Sequence, residues 1–374
     1  MSVVIKEVTN KKLLKKFIEY PNKLYKGNKY YCPFLYRDEV ECFTIGKNPA
    51  YDFCETKLFL AYLDNKVVGR IAAIINHAYN KKWDKNAIRF TRFDFIDNYD
   101  VSKALFDSVV AWGKEHKYTT IMGPIGFTDL DHEGMLIEGF DEYNMSITFY
   151  NYPYYLDHYT KLGLVKDVDW VEYQVFVPEE PNEKLNRLSK RVLERNGFEL
   201  VWYNDRKVLY KEAFDAFKVI DTAFSKLYGT VPLTKEIIEK NINDFIPLVN
   251  LDYLVSVKNK EGNIIGFGLL VPSMAKAFKK SNGKLFPFGL FRILKALRGQ
   301  NDVLEMFLVG VEPVYQSTGI PAIMMNALLE NCIKNKVKYC ETGPELETNL
   351  NVQGLWKVFQ TRQHKRRRCF TKEI

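Results

Sequence analysis

Two stretches of this chain repeat one another, and that repetition limits the fold more than any other feature. A helix-like stretch from Ala104 to His116 leads through a short strand, Tyr118 to Met122, to Gly123-Pro124. A second, Ala322 to Asn335, leads through Val337 to Glu341 to Gly343-Pro344. Gly134-Met135 and Gly354-Leu355 follow at the same spacing, so both landmarks recur after 220 positions. Each half also carries an earlier hairpin pattern. The first is Leu58 to Leu63, a turn at Asp64-Asn65-Lys66, then Val67 to Ile71; the second is Tyr253 to Val257, a turn at Asn259 to Asn263, then Ile264 to Gly268. Apolar, β-branched runs around such turns read as β-hairpins. The hairpins lie 197 positions apart, so the second half carries an insertion of 23 residues before its Gly-Pro, placed at Ser273 to Gln300.

A duplicated chain of 374 residues divides into two domains of ordinary size. The polar, proline-rich break Pro178-Glu179-Glu180-Pro181 marks the boundary, giving expected domains 1–178 and 179–374. Strands and helices interleave in each, which predicts an α/β (α+β layered) fold, a mixed, mostly antiparallel sheet flanked by helices. The six cysteines show no Cys-x-x-Cys spacing and the five histidines are scattered, so no metal site is expected. Met1 to Lys16 lacks a signal-peptide pattern, and no transmembrane run is present. The expectation is a cytoplasmic protein. The net charge of +8 suits nucleic acid, an anionic membrane, a nucleotide cofactor or an acidic carrier protein, and does not choose among them.

The stretch with most chemical content runs from Val303 to Ala322. A buried strand enters a turn with Gly319, and a helix follows with apolar pairs Met324-Met325 and Leu328-Leu329. Such a junction aims backbone N–H groups and a helix dipole at one point, which suits a phosphate or pyrophosphate. Here the sequence resembles the GNAT superfamily of acyl-CoA transferases, whose motif after this strand is Gln or Arg, two residues, Gly, one residue, and Gly or Ala. Gln316 and Gly319 match; Pro321 departs, removing one N–H donor. The hairpin with Ile265-Gly266-Phe267 is also similar to the GNAT hairpin before that strand. A little-characterised bacterial GNAT-related group shares Gly139-Phe140-Asp141 and Asn151-Tyr152-Pro153-Tyr154-Tyr155.

The resemblance implies acetyl-CoA or a longer acyl-CoA as cofactor. It is held by Val309, Gly310, Val311, Gln316, Ser317, Thr318, Gly319, Ile320 and Ala322, with N-acyl transfer to an amine of a small molecule or peptide. The first half lacks the glycine turn: Asp97-Asn98-Tyr99-Asp100 precedes its helix, with Asp100 the expected N-cap. It does keep Tyr159-Thr160-Lys161-Leu162-Gly163-Leu164, similar to the GNAT run whose tyrosine protonates the departing thiolate. The comparable second-half position is Phe359.

Glu305 is the first candidate base, and strand alternation puts it on one face with Phe307, Val309 and Val311. Glu341 is the second. A solvated strand end is the competing reading of Glu305. The acidic runs Glu341, Glu345, Glu347 and Asp129, Asp131, Glu133 read as amine sites or solvated loops. The tyrosines Tyr150, Tyr152, Tyr154, Tyr155 and Tyr159 read as a pocket wall or as packing. Residues 284–298 form a basic amphipathic helix, a contact for an acyl carrier protein, a lipid surface or a long acyl chain, or a helix packed on its own domain. The tail Lys365 to Arg368 fits an edge strand with outward arginines, or nucleic acid. The second leaves open a Fem-type, aminoacyl-tRNA-dependent ligase, and a non-catalytic GNAT-like binding protein is a third reading.

Overall fold

The computed structural model describes residues 2–374. The first half runs β1 (Val4–Glu7), α1 (Lys11–Leu24), α2 (Tyr36–Cys42), β2 (Cys54–Leu63), β3 (Lys66–Asn76), α3 (His77–Trp83), β4 (Ala87–Phe95), α4 (Tyr99–Glu115), β5 (Thr120–Gly123), β6 (Met135–Glu138), α5 (Tyr155–Lys161) and β7 (Val165–Phe176). An irregular segment through Pro178–Pro181 leads to α6 (Glu183–Asn196). The second half then retraces the order. It runs β8 (Glu199–Trp202), α7 (Arg206–Phe224), α8 (Lys235–Phe245), β9 (Leu254–Lys258), β10 (Ile264–Pro272), α9 (Ala275–Ser281), α10 (Gly289–Arg298), β11 (Val303–Val311), α11 (Ile320–Lys334), β12 (Tyr339–Thr342), β13 (Glu345–Leu346), α12 (Leu350–Leu355) and β14 (Thr361–Glu373). The expected insertion is the helical pair α9–α10.

The two halves share one sheet, ordered β1-β2-β3-β4-β5-β14-β7-β12-β11-β10-β9-β8, with β6 on β14 and β13 on β7. The order reads alike from either end. Pairing is antiparallel except between β4 and β5 and between β11 and β12. The final strand of each half has crossed into the other: β14 lies between β5 and β7, and β7 between β14 and β12. The repeat in the sequence gives the element order but not this exchange, because strand pairing across 200 residues leaves no local signal.

The exchange explains the basic tail. β14 is a central strand, not the edge strand expected, and a cation inside a sheet needs a partner. Lys365 and Arg367 are fully buried. Lys365 Nζ lies 3.2 Å from Glu341 and 3.5 Å from Glu172. Arg367 pairs with Glu172 and donates to Asn144 Oδ1 at 2.9 Å and Thr148 Oγ1 at 3.0 Å. Arg366 and Arg368 both bind Asp169, at 3.1 and 2.6 Å. Removing one partner of such a buried pair strands the other charge. Arg367→Met is therefore expected to lower the unfolding free energy by about 3–5 kcal/mol, measured by urea denaturation. A loss no larger than that of an exposed-lysine control contradicts this account.

The exchange also bears on separability. Residues 2–178 alone leave β5 and β7 each without its central neighbour. We expect that fragment to show no cooperative thermal transition, and fragments 2–178 and 179–374 expressed together to recover one. A sharp transition in the first fragment alone would refute the dependence.

Candidate active site

The functional geometry begins where β11 and β12 part. Their parallel pairing runs from Val303–Tyr339 to Met306–Thr342 and then stops, while β11 continues to Val311. Against β10, Leu308 pairs with Leu269 but Met306 pairs with Leu270, so Phe307 is an extra residue, a β-bulge. The bulge corrects the alternation expected for this strand. Phe307 and Leu308 pack towards the α7–α10 side with Phe267 and Leu269, whereas Val309 and Val311 join the opposite core with Met324 and Leu328. Glu305 therefore does not share a face with Val309 and Val311. Half-buried Val309, Tyr315, Val352, Leu355 and Phe359 pack against this core.

After Val311 the chain makes a largely exposed 3₁₀ helix, Pro313–Thr318, and reaches Gly319 at φ 87°. A side chain at Gly319 would meet nothing within 4 Å, so this backbone faces open space. No side chain caps α11, although the helix is 15 residues long. Its first turn can thus offer N–H groups to an external anion, with Pro321 contributing none. Gln316 Nε2 donates to Val311 O at 3.1 Å and Thr318 Oγ1 to Tyr315 O at 2.6 Å, so these side chains brace the turn. Ser317 is exposed, Ile320 is buried in the core beneath the helix start, and Ala322 is half-buried.

The matching place in the first half is closed. β4 and β5 part after Arg89–Met122. There the Phe95 N–H donates to the Tyr155 hydroxyl at 3.1 Å, and the Tyr154 hydroxyl donates to Phe95 O at 2.6 Å. Tyr155 stacks on Phe95 and Tyr159 on Phe93, at 4.3 and 5.5 Å. Tyr154, Tyr155 and Tyr159 thus fill the gap, while Tyr150 and Tyr152 pack against Tyr25. The α4 N-terminus is capped by Asn98, which accepts from the N–H groups of Asp100 and Val101. Asn98, not Asp100, is the cap, because its side chain sits before the first turn while Asp100 is already inside it. Asp97 instead pairs with His158 at 3.0 Å.

Glu305 is 1% exposed, which rules out the solvated strand end. Its Oε1 accepts from Ser273 Oγ at 2.6 Å and its Oε2 from Ser146 Oγ at 3.0 Å. Burial is the main cause that lifts its pKa to about 7, and the Glu341 charge adds to it. Glu341 lies beside it in register on β12, also buried and also raised by desolvation, with Lys365 opposing. Ser146 and Glu172 carried no sequence signal, since Ser146 and Glu305 are 159 positions apart, and Lys365 was visible only as part of the basic tail.

The chain and its fold have known counterparts. No protein-family model matches the chain. Over 379 residues it is 26% identical to protein YghO of Escherichia coli (strain K12), covering 99% of this chain and 95% of that one. It is 24% identical over 342 residues to the bacterial ceramide synthase of Caulobacter vibrioides (strain NA1000 / CB15N), covering 90% and 88%. A tandem GNAT protein from the clavulanic acid biosynthesis pathway superposes with a TM-score of 0.57 at 10% identity, covering 100% of this chain and 98% of that one. The chain has the tandem GNAT fold.

Within the GNAT frame, other expected residues fall elsewhere. Tyr159 is 1% exposed among Phe90, Phe93 and Phe370, and burial pushes its hydroxyl pKa well up, so it is a core residue. The acidic runs are not solvated loops. Asp131 binds Arg92 at 2.9 Å and is held well below the usual carboxylate range against its burial. Burial raises Glu133 and Asp129, and Glu345 is pushed up to about 8 by desolvation beneath Trp356. Glu347 binds Lys166 and Arg366.

The raised pKa of Glu305 has a consequence for stability. Between the ordinary value of 4.5 and about 7 the folded chain holds a proton that the unfolded chain has released. That contribution is complete below pH 4.5 and is lost as pH rises through 7. The unfolding free energy of the wild type relative to Glu305→Gln is expected to fall by about 3 kcal/mol across that window. Parallel pH profiles for the two proteins would contradict a buried, titrating Glu305.

Proposed function

We propose that the chain transfers an acyl group from an acyl-CoA thioester to an amine, and that only the second half, residues 179–374, holds the thioester. The contrast between the two strand partings carries this reading. The second ends in a turn with Gly319 facing open space before an uncapped helix. The first is filled by Tyr154, Tyr155 and Tyr159 and capped by Asn98. The residues present fit the cofactor: the pyrophosphate suits the backbone from Gly319 to Ala322, and the pantetheine arm suits the free side of Phe307–Val311.

The acceptor amine must lose a proton before it attacks. Ser273 is half-buried, and its hydroxyl already donates to Glu305. It can take a proton from the substrate ammonium while passing its own to the carboxylate. A carboxylate of pKa about 7 is largely ionised just above neutrality and is a stronger base than an ordinary glutamate. A C–N bond then forms, the C–S bond breaks as the nitrogen gives its second proton to solvent, and the thiolate, with a pKa of about 8.5 for an ordinary thiol, leaves without a dedicated acid. Glu341, ion-paired to Lys365, opposes ionisation of Glu305 through its charge and so makes Glu305 the stronger base.

The likeness to a ceramide synthase makes a long-chain amine the acceptor class to try first. Ceramide is an amide of a long-chain amino alcohol, and the half-buried apolar edge near Phe307 and Leu308 suits an alkyl chain. An aminoacyl-tRNA donor finds no support at the tail, where Lys365 and Arg367 are buried and Arg366 and Arg368 are paired. A non-catalytic binding protein is the second reading, favoured by the absence of a tyrosine at Phe359 and by the burial of Glu305.

Calorimetry with short- and long-chain acyl-CoAs, and thiol release with long-chain amines, test this. Gly319→Glu should abolish acyl-CoA binding with the fold intact. Glu305→Gln should lower kcat by roughly a hundredfold or more and remove the acid limb of the pH–rate profile near pH 7. Unchanged binding in the first variant rejects the cofactor site. Binding without thiol release from any amine favours the non-catalytic reading.

A further inference from the structure

We propose that the helical pair α9–α10 docks the protein on an anionic lipid surface through Phe286, Phe288, Leu290 and Phe291. These four fall within six consecutive residues at the turn into α10, and the three phenylalanines are 77%, 64% and 70% exposed. Large apolar side chains grouped this way and left in water mark a contact surface. The same helix buries Ile293 and Leu297 in the core of its own half, so the exposed group is a second face and not an unfinished core.

The charge around this group decides the partner. Residues 275–300 contain Lys276, Lys279, Lys280, Lys284, Arg292, Lys295 and Arg298 and no Asp or Glu. That segment carries +7 of the chain's net +8. Lys279 is committed to the Asn28 carbonyl at 2.7 Å, and Lys284 lies 3.4 Å from Glu19. Lys276, Lys280, Lys295 and Arg298 are exposed, and no salt bridge holds them among the described residues. Aromatic side chains ringed by free cations match the layering of an anionic membrane, with acyl chains below and phosphates above. None of the described helices is long and apolar enough to cross a membrane, so the contact would be interfacial.

The turn is presented rigidly. Tyr36 N donates to Gly283 O at 2.8 Å, Leu290 N to Leu285 O at 2.7 Å, and Arg292 Nη1 to Lys280 O at 2.8 Å. It also leads directly to the candidate site: Ser273, which binds Glu305, immediately precedes the pair, and Met274, Ala275 and Phe278 pack with the core that takes Phe307 and Leu308. A lipid amine entering from the membrane would need to travel only along this one element.

Vesicle sedimentation of the full chain tests the docking without any acyl transfer, so its failure and that of the enzymatic reading are distinguishable. The wild type should bind vesicles of phosphatidylcholine mixed with phosphatidylglycerol, and lose binding in phosphatidylcholine alone or at high salt. Phe286→Ala/Phe288→Ala/Phe291→Ala should weaken partitioning at least tenfold with the circular dichroism spectrum and thermal midpoint unchanged. Lys280→Ala, Lys295→Ala and Arg298→Ala should each weaken it by about fivefold. The proposal is overturned if the wild type ignores anionic vesicles or if the triple variant binds them equally well. It is also overturned if this surface binds an acyl carrier protein and not the vesicles.

Discussion

The pairing of β7 with β14, and the buried charges along it, hold the rest of this molecule in place. Each strand closes the opposite half, so neither half completes its sheet without the other. Lys365 and Arg367 enter that seam fully buried, opposed by Glu172 and Glu341 and by the loop residues Asn144 and Thr148. Charges in such a place contribute modest net stability but penalise every register that leaves them unpaired. The seam therefore selects one arrangement of two similar halves that share all their element types.

The seam also sets the chemistry of Glu305. Glu341 is anchored to Lys365 and stands beside Glu305 in the sheet, and Ser146 reaches Glu305 from the same loop that carries Asn144 and Thr148. The first half thus supplies a hydrogen bond to the candidate base of the second. Desolvation by this packing, more than any single charge, places the carboxyl near neutrality. A glutamate at the same position in an isolated half would lack the Ser146 hydrogen bond and keep only that of Ser273.

The two halves have diverged at the equivalent point in opposite ways. In the first, aromatic side chains occupy the strand parting and Asn98 satisfies the helix N-terminus, which adds core and stability. In the second, the strands part without such filling and no side chain caps the helix start. An open, uncapped terminus costs stability that a bound anion can return. Duplication allows this division, since the closed half stabilises the sheet on which the open half depends.

The sequence by itself determined the element order and the repeat. Hairpin turns, helix periodicity and the Gly-Pro landmarks are local patterns, and so is the turn at Gly319. It also carried Glu305 and Glu341 as candidates, because one lies on the strand that enters the Gly319 turn and the other ends the next strand. Only the tertiary structure decided the strand exchange, the bulge at Phe307 that turns Val309 and Val311 to the far face, the burial of Glu305, and the serines that hold it. It likewise turned Tyr159 into core and the basic tail into buried ion pairs. Each of these depends on which distant strand becomes a neighbour, and that choice is made by packing and charge pairing across the whole sheet, where no local pattern in the chain records it.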